Sequence, residues 1–179
     1  MHNPASRFEE ILEALEKLYR EVDQRVHDLC ALHRGRINCC QGCTSCCLDG
    51  IMVFEVEAQN IRKHSGDLLV NGAPHREGSC AFLGKDNTCR IYEHRPYVCR
   101  TQGLPFSWVE EREDGSVVEL RDICPVNDAG EPIENLPAEH CWSIGMFELK
   151  LAALQALAGG KQAVRVSLRS LFCITPQEP

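Results

Sequence analysis

The sequence predicts an α+β fold, a small metal-stapled domain in which N- and C-terminal helices and short β-hairpins surround a cluster of cysteines. Three observations indicate this class. The N-terminal part carries a helical apolar pattern, later apolar runs are short and separated by turn residues, and 12 cysteines occur among 179 residues. With 44% hydrophobic and 25% charged residues, a chain of this length buries enough surface for a core.

We expect a single domain overall, built from three segments. An N-terminal amphipathic helix occupies residues 1–36, and a cysteine-cluster metal-binding domain occupies residues 37–126. A C-terminal helix and strand, residues 127–179, pack on this centre. No internal repeat or low-complexity segment divides the chain further.

The first helix is predicted from Ser6 to Leu32, with Gly35 as its stop. Its apolar residues recur mostly at steps of three and four, which places them on one face. One short apolar seam without sustained heptads favours a helix that covers the core over a dimerising coiled coil. The stripe comprises Phe8, Ile11, Leu12, Leu15, Leu18, Tyr19, Val22, Val26, Leu29 and Leu32.

The remaining elements are predicted from short apolar runs and turn residues. Asp114-Gly115 between two such runs is the strongest hairpin signal. The GKDNT spacer after Leu83 is compatible with another hairpin. In chain order we predict a strand at 51–54, a helix at 55–64 ended by Gly66, a loop at 71–79, paired runs at 80–83 and 89–92, strands at 106–112 and 116–121, a helix at 138–158 ended by Gly159-Gly160, and a strand at 163–168.

The segment from Asn38 to Cys47 is predicted to be a loop organised by metal ligands. It holds five cysteines and a glycine in ten positions, without helical or alternating apolar pattern. Cys40, Cys43, Cys46 and Cys47 form a C-x2-C-x2-C-C array, and a two-residue gap lets a turn direct two thiolates at one ion. The first three match the spacing of the bacterial ferredoxin run, which favours an iron–sulfur cluster such as [4Fe–4S]. Zinc competes, because soft thiolates suit both metals.

Four distal cysteines complete a predicted set of eight metal ligands. They are Cys80, Cys89, Cys99 and Cys124. Eight thiolates suffice for two four-coordinate sites, or for one cluster and one mononuclear ion. We expect the side chains of the adjacent Cys46 and Cys47 to diverge, so that one serves a second centre or is structural.

These motifs resemble those of a known family. CQGCTSCC followed by CAFL…CRIYEHRPYVCR is similar to the YkgJ-like cysteine-cluster proteins, described as zinc- or iron-chelating domains. The resemblance runs from about Asn38 to Pro125 and carries over the array and Cys80, Cys89 and Cys99, with Cys124 a weaker match. The family is also similar to the N-terminal part of flagellin lysine methylases, which implies a link to an iron–sulfur cluster and S-adenosylmethionine. This chain is too short to include that whole enzyme.

Several residues near the motifs receive other roles. Arg95 and Arg100 are candidates to donate hydrogen bonds to the sulfurs of a bound cofactor, and the competing interpretation pairs them with carboxylates such as Glu93. The remaining cysteines are expected to be small buried hydrophobes rather than ligands. These are Cys30, Cys39, Cys141 and Cys173.

Composition limits the partners and the compartment. The 26 acidic residues outnumber the 19 basic ones, which argues against nucleic acid. Apolar stretches are shorter than the roughly 18 residues of a membrane span, and the acidic N-terminus does not resemble a secretion signal. We therefore expect a cytoplasmic protein with reduced thiols, metal ions as ligands and a protein or peptide as partner.

Three functional classes remain open at the level of sequence. The first is a metal-binding protein with a role in redox chemistry, metal handling or protein modification. The second is an interaction module with structural four-thiolate zinc sites. The third is a cluster-dependent subunit of a peptide-modifying enzyme. The sequence identifies no catalytic residue and leaves enzymatic activity undecided.

Overall fold

The computed structural model describes residues 4–159 and 164–173, and it has the predicted α+β fold. This part of the chain contains four α-helices, five short β-strands and several 3₁₀ turns. The helices are α1 (Pro4–Leu32), α2 (Glu55–Asn71), α3 (Tyr97–Arg100) and α4 (Met146–Leu157). The strands are β1 (Met52–Phe54), β2 (Phe106–Glu111), β3 (Val117–Asp122), β4 (Trp142–Ser143) and β5 (Arg165–Ser167).

Helix α1 confirms the predicted amphipathic helix. Its apolar stripe is buried from Ile11 to Leu29 because the spacing of three and four keeps these residues on one face. The stripe packs against α4 and α3, and Leu12, Tyr97 and Trp142 belong to the same apolar core. Residues from all three predicted segments therefore share one core. Leu32, at the end of the predicted stripe, is exposed.

The strands form two small sheets. β1 and β5 pair antiparallel, with Met52 opposite Ser167. β2 is the central strand of the other sheet, antiparallel to β3 and parallel to β4. The predicted hairpin at Asp114-Gly115 is confirmed, and Gly115 has the positive φ of +77° that this tight turn requires. The predicted C-terminal strand begins at Ala163, and the predicted helix stop includes Gly160. Both residues lie outside the described part of the chain.

The predicted C-terminal helix starts too early. Residues 138–140 form a 3₁₀ turn, and β4 follows before α4 begins at Met146. Trp142 is extended because it pairs with Phe106 of β2, and it is 2% exposed in the core. Gly145, with a φ of +136°, then reverses the chain into α4. Long-range pairing thus overrides the helical pattern of the sequence.

Two further boundaries differ from the prediction. Helix α2 continues past Gly66 to Asn71 with a kink at Ser65, because the next turn buries Leu69 against the second apolar core. The predicted hairpin at residues 80–92 is reduced to a single bridge between Leu83 and Cys89. None of the helices in residues 4–159 and 164–173 has the length and apolar character needed to cross a bilayer.

Candidate metal centre

Two consecutive reverse turns shape the cysteine-rich loop. The N–H of Cys43 donates to the carbonyl of Cys40 at 3.0 Å, and the N–H of Cys47 donates to the carbonyl of Thr44 at 2.8 Å. Gly42 occupies the third position of the first turn with a φ of +90°, a conformation that a type II turn requires there. The first turn therefore spans the Cys40–Cys43 pair and leaves Cys40 exposed and Cys43 half-buried, whereas the second turn runs from Thr44 to Cys47 and is out of step with the Cys43–Cys46 pair.

Five thiols from separate segments form the first thiol group. The N–H of Cys80 donates to the carbonyl of Cys47 at 2.9 Å, which joins the cysteine-rich loop to the segment that follows α2. The bridge between Leu83 and Cys89 brings the chain back towards the segment of Cys80, and α3 contributes the thiol of Cys99. Electrostatic interactions link the five thiols in a chain of pairs, with Cys46, Cys80 and Cys89 acting on Cys99 and also on Cys47. The first thiol group is Cys46, Cys47, Cys80, Cys89 and Cys99.

Burial dominates the chemistry of the first thiol group. It raises the pKa of Cys80, Cys89 and Cys99, because an apolar shell disfavours the thiolate. The neighbouring thiols raise the pKa of Cys99 further. A bound cation would reverse this effect, since a metal stabilises the thiolate directly.

The adjacent cysteines of the array lie at the end of the second reverse turn, and the divergence of their side chains stays a prediction. The interaction between the two thiols lowers the pKa of Cys46 and raises that of Cys47. Both belong to the first thiol group. The turn that ends at Cys47 is not an extended strand, so the alternation of side chains on which the expectation rested does not apply.

We define the second thiol group as Cys39 and the two thiols that act most strongly on its charge, Cys43 and Cys124, although Cys46 of the first thiol group acts on Cys39 as well. Burial raises the pKa of Cys39, a hydrogen bond from Asn127 lowers it, and the thiols of Cys43 and Cys124 raise it again. The Nδ2 atom of Asn127 lies 3.2 Å from the sulfur of Cys39. The sequence had placed Cys39 among the cysteines without a ligand role, whereas the structure groups it with two predicted ligands.

Of the other three cysteines outside the predicted ligand set, Cys141 is the buried hydrophobe that the sequence predicts, and the prediction of burial is wrong for Cys30 and Cys173. Cys141 is 2% exposed in a small apolar cluster with Ile123 and Leu136, where it acts as a hydrophobe. Cys30 is half-buried against the main core, and Cys173 is exposed. All twelve cysteines lie in the described part of the chain, and all are free thiols.

Arg169 fixes the C-terminal end of the cysteine-rich loop. Its Nε donates to Asp49 Oδ1 at 2.8 Å, and its other nitrogens donate to the carbonyls of His75 and Ser79 at 2.7 and 2.8 Å. Arg169 and the N–H of Gly78 hold the pKa of Asp49 at about 2. This network places the segment that leads into Cys80. The sequence carries little sign of it, because Arg169 lies 120 residues from Asp49.

Arg100 and Glu57 hold the short helix that carries Cys99. The side chain of Arg100 is 4% exposed and donates to Asp23 and to the carbonyls of Arg95 and Glu93. Glu57, 2% exposed, accepts a hydrogen bond from the N–H of Tyr97 at 2.8 Å. Burial raises the pKa of Glu57, and the three groups that donate to it oppose the rise.

The two arginine candidates thus differ in their surroundings. The donors of Arg100 are committed to protein acceptors. Arg95 stacks over the ring of Tyr92 at 3.9 Å and donates to its carbonyl, and its charge also acts on the thiol of Cys89. Arg95 therefore stays a candidate to stabilise charge on the first thiol group.

The donor set fits a soft metal, and binding requires the sulfurs to move closer to one another. Within residues 4–159 and 164–173, no three histidine, cysteine, aspartate or glutamate side chains are close enough to hold a metal ion as they stand. Both groups consist of thiols, which select zinc or iron over hard cations such as Mg²⁺. Most of these thiols are exposed or half-buried, so rotation about the Cα–Cβ bond can bring their sulfurs closer.

Two surface clefts lie outside both thiol groups. One, of about 420 Å³, is lined by residues 63–68 and Arg90. The other, of about 500 Å³, is lined by residues 110–114 at the tip of the β2–β3 hairpin. Neither of these two clefts has a cysteine in its wall, so neither places a substrate beside the thiols.

Comparison with known proteins identifies a family. Residues 23–125 match the model of the CxxCxxCC family, described as a "putative zinc- or iron-chelating domain". The match spans more than half of the chain, including α3 and both thiol groups. No curated protein and no solved structure matches the chain. The similarity to flagellin lysine methylases is not confirmed by these comparisons and stays a prediction.

Proposed function

The chain belongs to the CxxCxxCC family, and from this premise we propose that it is a metal-binding redox protein whose first thiol group holds an iron–sulfur cluster. The observation that carries the proposal is the convergence of thiols from three separate segments. The hydrogen bond between Cys80 and Cys47 joins two of these segments, and α3 brings in the third.

The arrangement of the first thiol group supports a cluster. The thiols of Cys80 and Cys89 act electrostatically on that of Cys47, and those of Cys80, Cys89 and Cys46 act on that of Cys99. The four thiolates that hold a [4Fe–4S] cluster bind four different iron atoms, so their sulfurs stay apart. A zinc ion instead requires four sulfurs that all lie about 2.3 Å from that one ion. In the run Cys40–Cys43–Cys46 only Cys46 belongs to the first thiol group, and the exposed Cys40 belongs to neither group, so the ferredoxin-like spacing does not carry the proposal.

The surroundings of the group support a role in redox chemistry. Phe82 and Ile91 pack beside Cys80 and Cys89 and provide the apolar shell that tunes the potential of such a cluster. Four of the five thiols are half-buried rather than fully enclosed, which keeps the centre close to the surface and within reach of a protein partner. We place the protein in the cytoplasm, where twelve free thiols are kept reduced.

Anaerobic purification followed by metal and sulfide analysis tests this function. We expect iron and inorganic sulfide in equal amounts, with the broad visible absorption of sulfur-to-iron charge transfer. Cys99→Ser should abolish or strongly reduce this absorption. Cys173→Ser is the matched control, because Cys173 is exposed and outside both thiol groups, and it should keep the full content.

Two results would contradict the proposal. Colourless protein with stoichiometric zinc bound to the first thiol group would show that the site is a structural zinc site and not an iron–sulfur cluster. A Cys99→Ser variant with the iron and sulfide content of the wild type would show that this ligand set is wrong. Intact-mass counting of alkylated thiols supplies an independent check, because disulfides would remove thiols from the count.

A further inference from the structure

Strand β3 is an outer strand of the sheet ordered β3-β2-β4, and only β2 pairs with it among the residues that the structure describes. An outer strand presents backbone groups on which an extended chain can form a further strand. We propose that the outer edge of β3 binds an extended, basic peptide segment of a partner protein by strand addition. This inference goes beyond the proposed function, because strand addition requires no bound metal.

The hydrogen bonds of the hairpin determine which backbone groups of β3 face outward. The N–H of Arg112 donates to the carbonyl of Ser116 at 2.8 Å, so this carbonyl points towards β2. Because the direction alternates along a strand, Val118 also bonds to β2, whereas Val117 and Glu119 direct their N–H and C=O groups away from it. Within the described chain, no backbone hydrogen bond reaches these four groups.

The exposed side chains of the hairpin suit an added strand. Val117 is 64% exposed, and Val109 on β2 is 67% exposed. Val109 lies opposite Glu119, and Val117 lies opposite Glu111, so these four side chains share one face of the hairpin. An apolar side chain of an added strand would cover Val117, and a neighbouring lysine or arginine would lie beside Glu119.

The far end of β3 is already occupied. The guanidinium of Arg121 donates to the carbonyls of Ile133 and Leu136, which brings the 3₁₀ turn that begins at Ile133 beside this end of the strand. Arg121 also pairs with Glu119 at 2.8 Å, but the side chain of Glu119 is 42% exposed and stays accessible to a second cation. We therefore expect the added strand to pair with residues 116–120.

Charge selects the chemistry of the partner. Residues 106–122 contain six carboxylates and two arginines, so they carry a net charge of −4 out of −7 for the whole chain. This concentration of negative charge attracts a basic segment and repels an acidic one. A second copy of the chain would bring the same carboxylates to the edge, where like charges on neighbouring strands destabilise pairing. A basic peptide with alternating apolar residues is therefore the occupant that the edge fits.

Fluorescence anisotropy of a labelled synthetic peptide, titrated with the full-length reduced chain, tests the inference. The peptide has about ten residues, the length of one long strand, and alternates lysine with valine. We expect saturable binding that weakens as the salt concentration rises. A control peptide with glutamate in place of lysine should not bind. A second control, N-methylated at every amide, keeps the charge but lacks the N–H donors, and it should bind at least about tenfold more weakly.

Two variants of one residue separate the backbone of the edge from its side chain. Glu119→Pro removes the outward N–H and the charge, whereas Glu119→Gln removes the charge alone. Proline is tolerated at this position because the lost N–H makes no bond to β2. We expect Glu119→Pro to bind the peptide at least about tenfold more weakly than Glu119→Gln. Far-UV circular dichroism verifies that both variants fold.

A pair of double variants isolates the charge of the hairpin. Glu110→Gln with Glu111→Gln removes two exposed carboxylates of β2, and Glu10→Gln with Glu13→Gln removes two exposed carboxylates of α1. Both pairs change the net charge of the chain equally. The β2 pair should weaken peptide binding by about three- to tenfold and reduce its dependence on salt, whereas the α1 pair should leave both nearly unchanged.

The outcomes separate this inference from the proposed function. Equal binding of the N-methylated peptide, or equal affinities of Glu119→Pro and Glu119→Gln, would overturn strand addition. A dimer of the chain that Glu119→Pro dissociates in analytical ultracentrifugation would show that a second copy occupies the edge, and it would also overturn the inference. A chain without metal that binds the peptide as expected would overturn the proposed function alone.

Discussion

Arg100→Lys should destabilise the metal-free protein by about 2–4 kcal/mol. The Arg100 guanidinium donates to the carbonyls of Arg95 and Glu93 at 2.9 and 2.8 Å and to Asp23 at 2.5 Å, with its side chain only 4% exposed. It also stacks over the ring of Tyr19 at 4.1 Å. A lysine keeps the charge but cannot reproduce the planar fork that serves three acceptors.

The magnitude follows from the acceptors that are left without a donor. A part-buried carbonyl that loses its partner costs about 1–3 kcal/mol, and lysine can satisfy one of the three acceptors of Arg100. The ion pair with Asp23 adds less than about 1 kcal/mol, because Asp23 is 43% exposed and solvent screens the pair. For a chain of 179 residues, the sum corresponds to a melting temperature lower by about 5–15 °C.

Urea unfolding of the metal-free, reduced chain, followed by circular dichroism, measures this effect. Arg62→Lys is the matched control, because Arg62 forms an ion pair with Glu55 in which both side chains are 31% exposed and lysine preserves the pair. It should change stability by less than about 0.5 kcal/mol. Equal unfolding midpoints for the two variants would refute the reasoning. Since α3 carries Cys99, Arg100→Lys should also lower the iron content of the anaerobic protein.

Three further variants test single features. Arg169 lowers the pKa of Asp49 to about 2 in the folded protein, whereas the pKa of an unfolded aspartate is about 4. The ionised carboxylate therefore stabilises the fold above about pH 4, and this stabilisation is lost as the pH falls from about 4 to about 2. Asp49→Asn should flatten the dependence of the urea midpoint on pH in that window, and an unchanged slope would contradict the ion pair. Gly42→Ala should weaken metal binding about tenfold, because alanine at a φ of +90° costs about 1–2 kcal/mol in the bound loop, while the metal-free loop can relax out of the turn; chelator competition measures this, and wild-type affinity would show that the bound loop does not need this turn more than the free loop does. Trp142→Phe should lower the free energy of unfolding by about 1–3 kcal/mol, since it removes a buried 2.9 Å hydrogen bond to Tyr97 and leaves a cavity; an unfolding midpoint equal to that of wild type would contradict it.

Local patterns in the sequence predicted most of the fold. The spacing of apolar residues predicted α1, and Asp114-Gly115 predicted the β2–β3 hairpin, because both signals act over a few residues. The pairing of Trp142 with Phe106 was missed, since it joins residues 36 positions apart through backbone hydrogen bonds that leave no local mark. The early start of the predicted C-terminal helix follows from that omission.

The candidate site was predictable as a set of residues but less so as a geometry. Position in two motifs identified the five members of the first thiol group. Adjacency alone suggested that Cys46 and Cys47 diverge, but that argument assumes an extended strand, and the two residues lie in the turn from Thr44 to Cys47. The contact between Asn127 and Cys39 joins residues 88 positions apart. Its one sequence signal was an asparagine three residues after Cys124.

The two ends of the cysteine-rich loop are anchored by different parts of the protein. Asn127 ties Asn38 to the turn that begins at Cys124, so the start of the loop is held on the side of the second thiol group. The pair Asp49–Arg169 and the hydrogen bond from Cys80 to Cys47 hold its end on the side of the first. Between these anchors the chain makes only two turns, each closed by one hydrogen bond. Such turns are weak on their own, so a metal bound at the proposed site in the first thiol group would add the constraint that the loop lacks and would stabilise the turn that ends at Cys47.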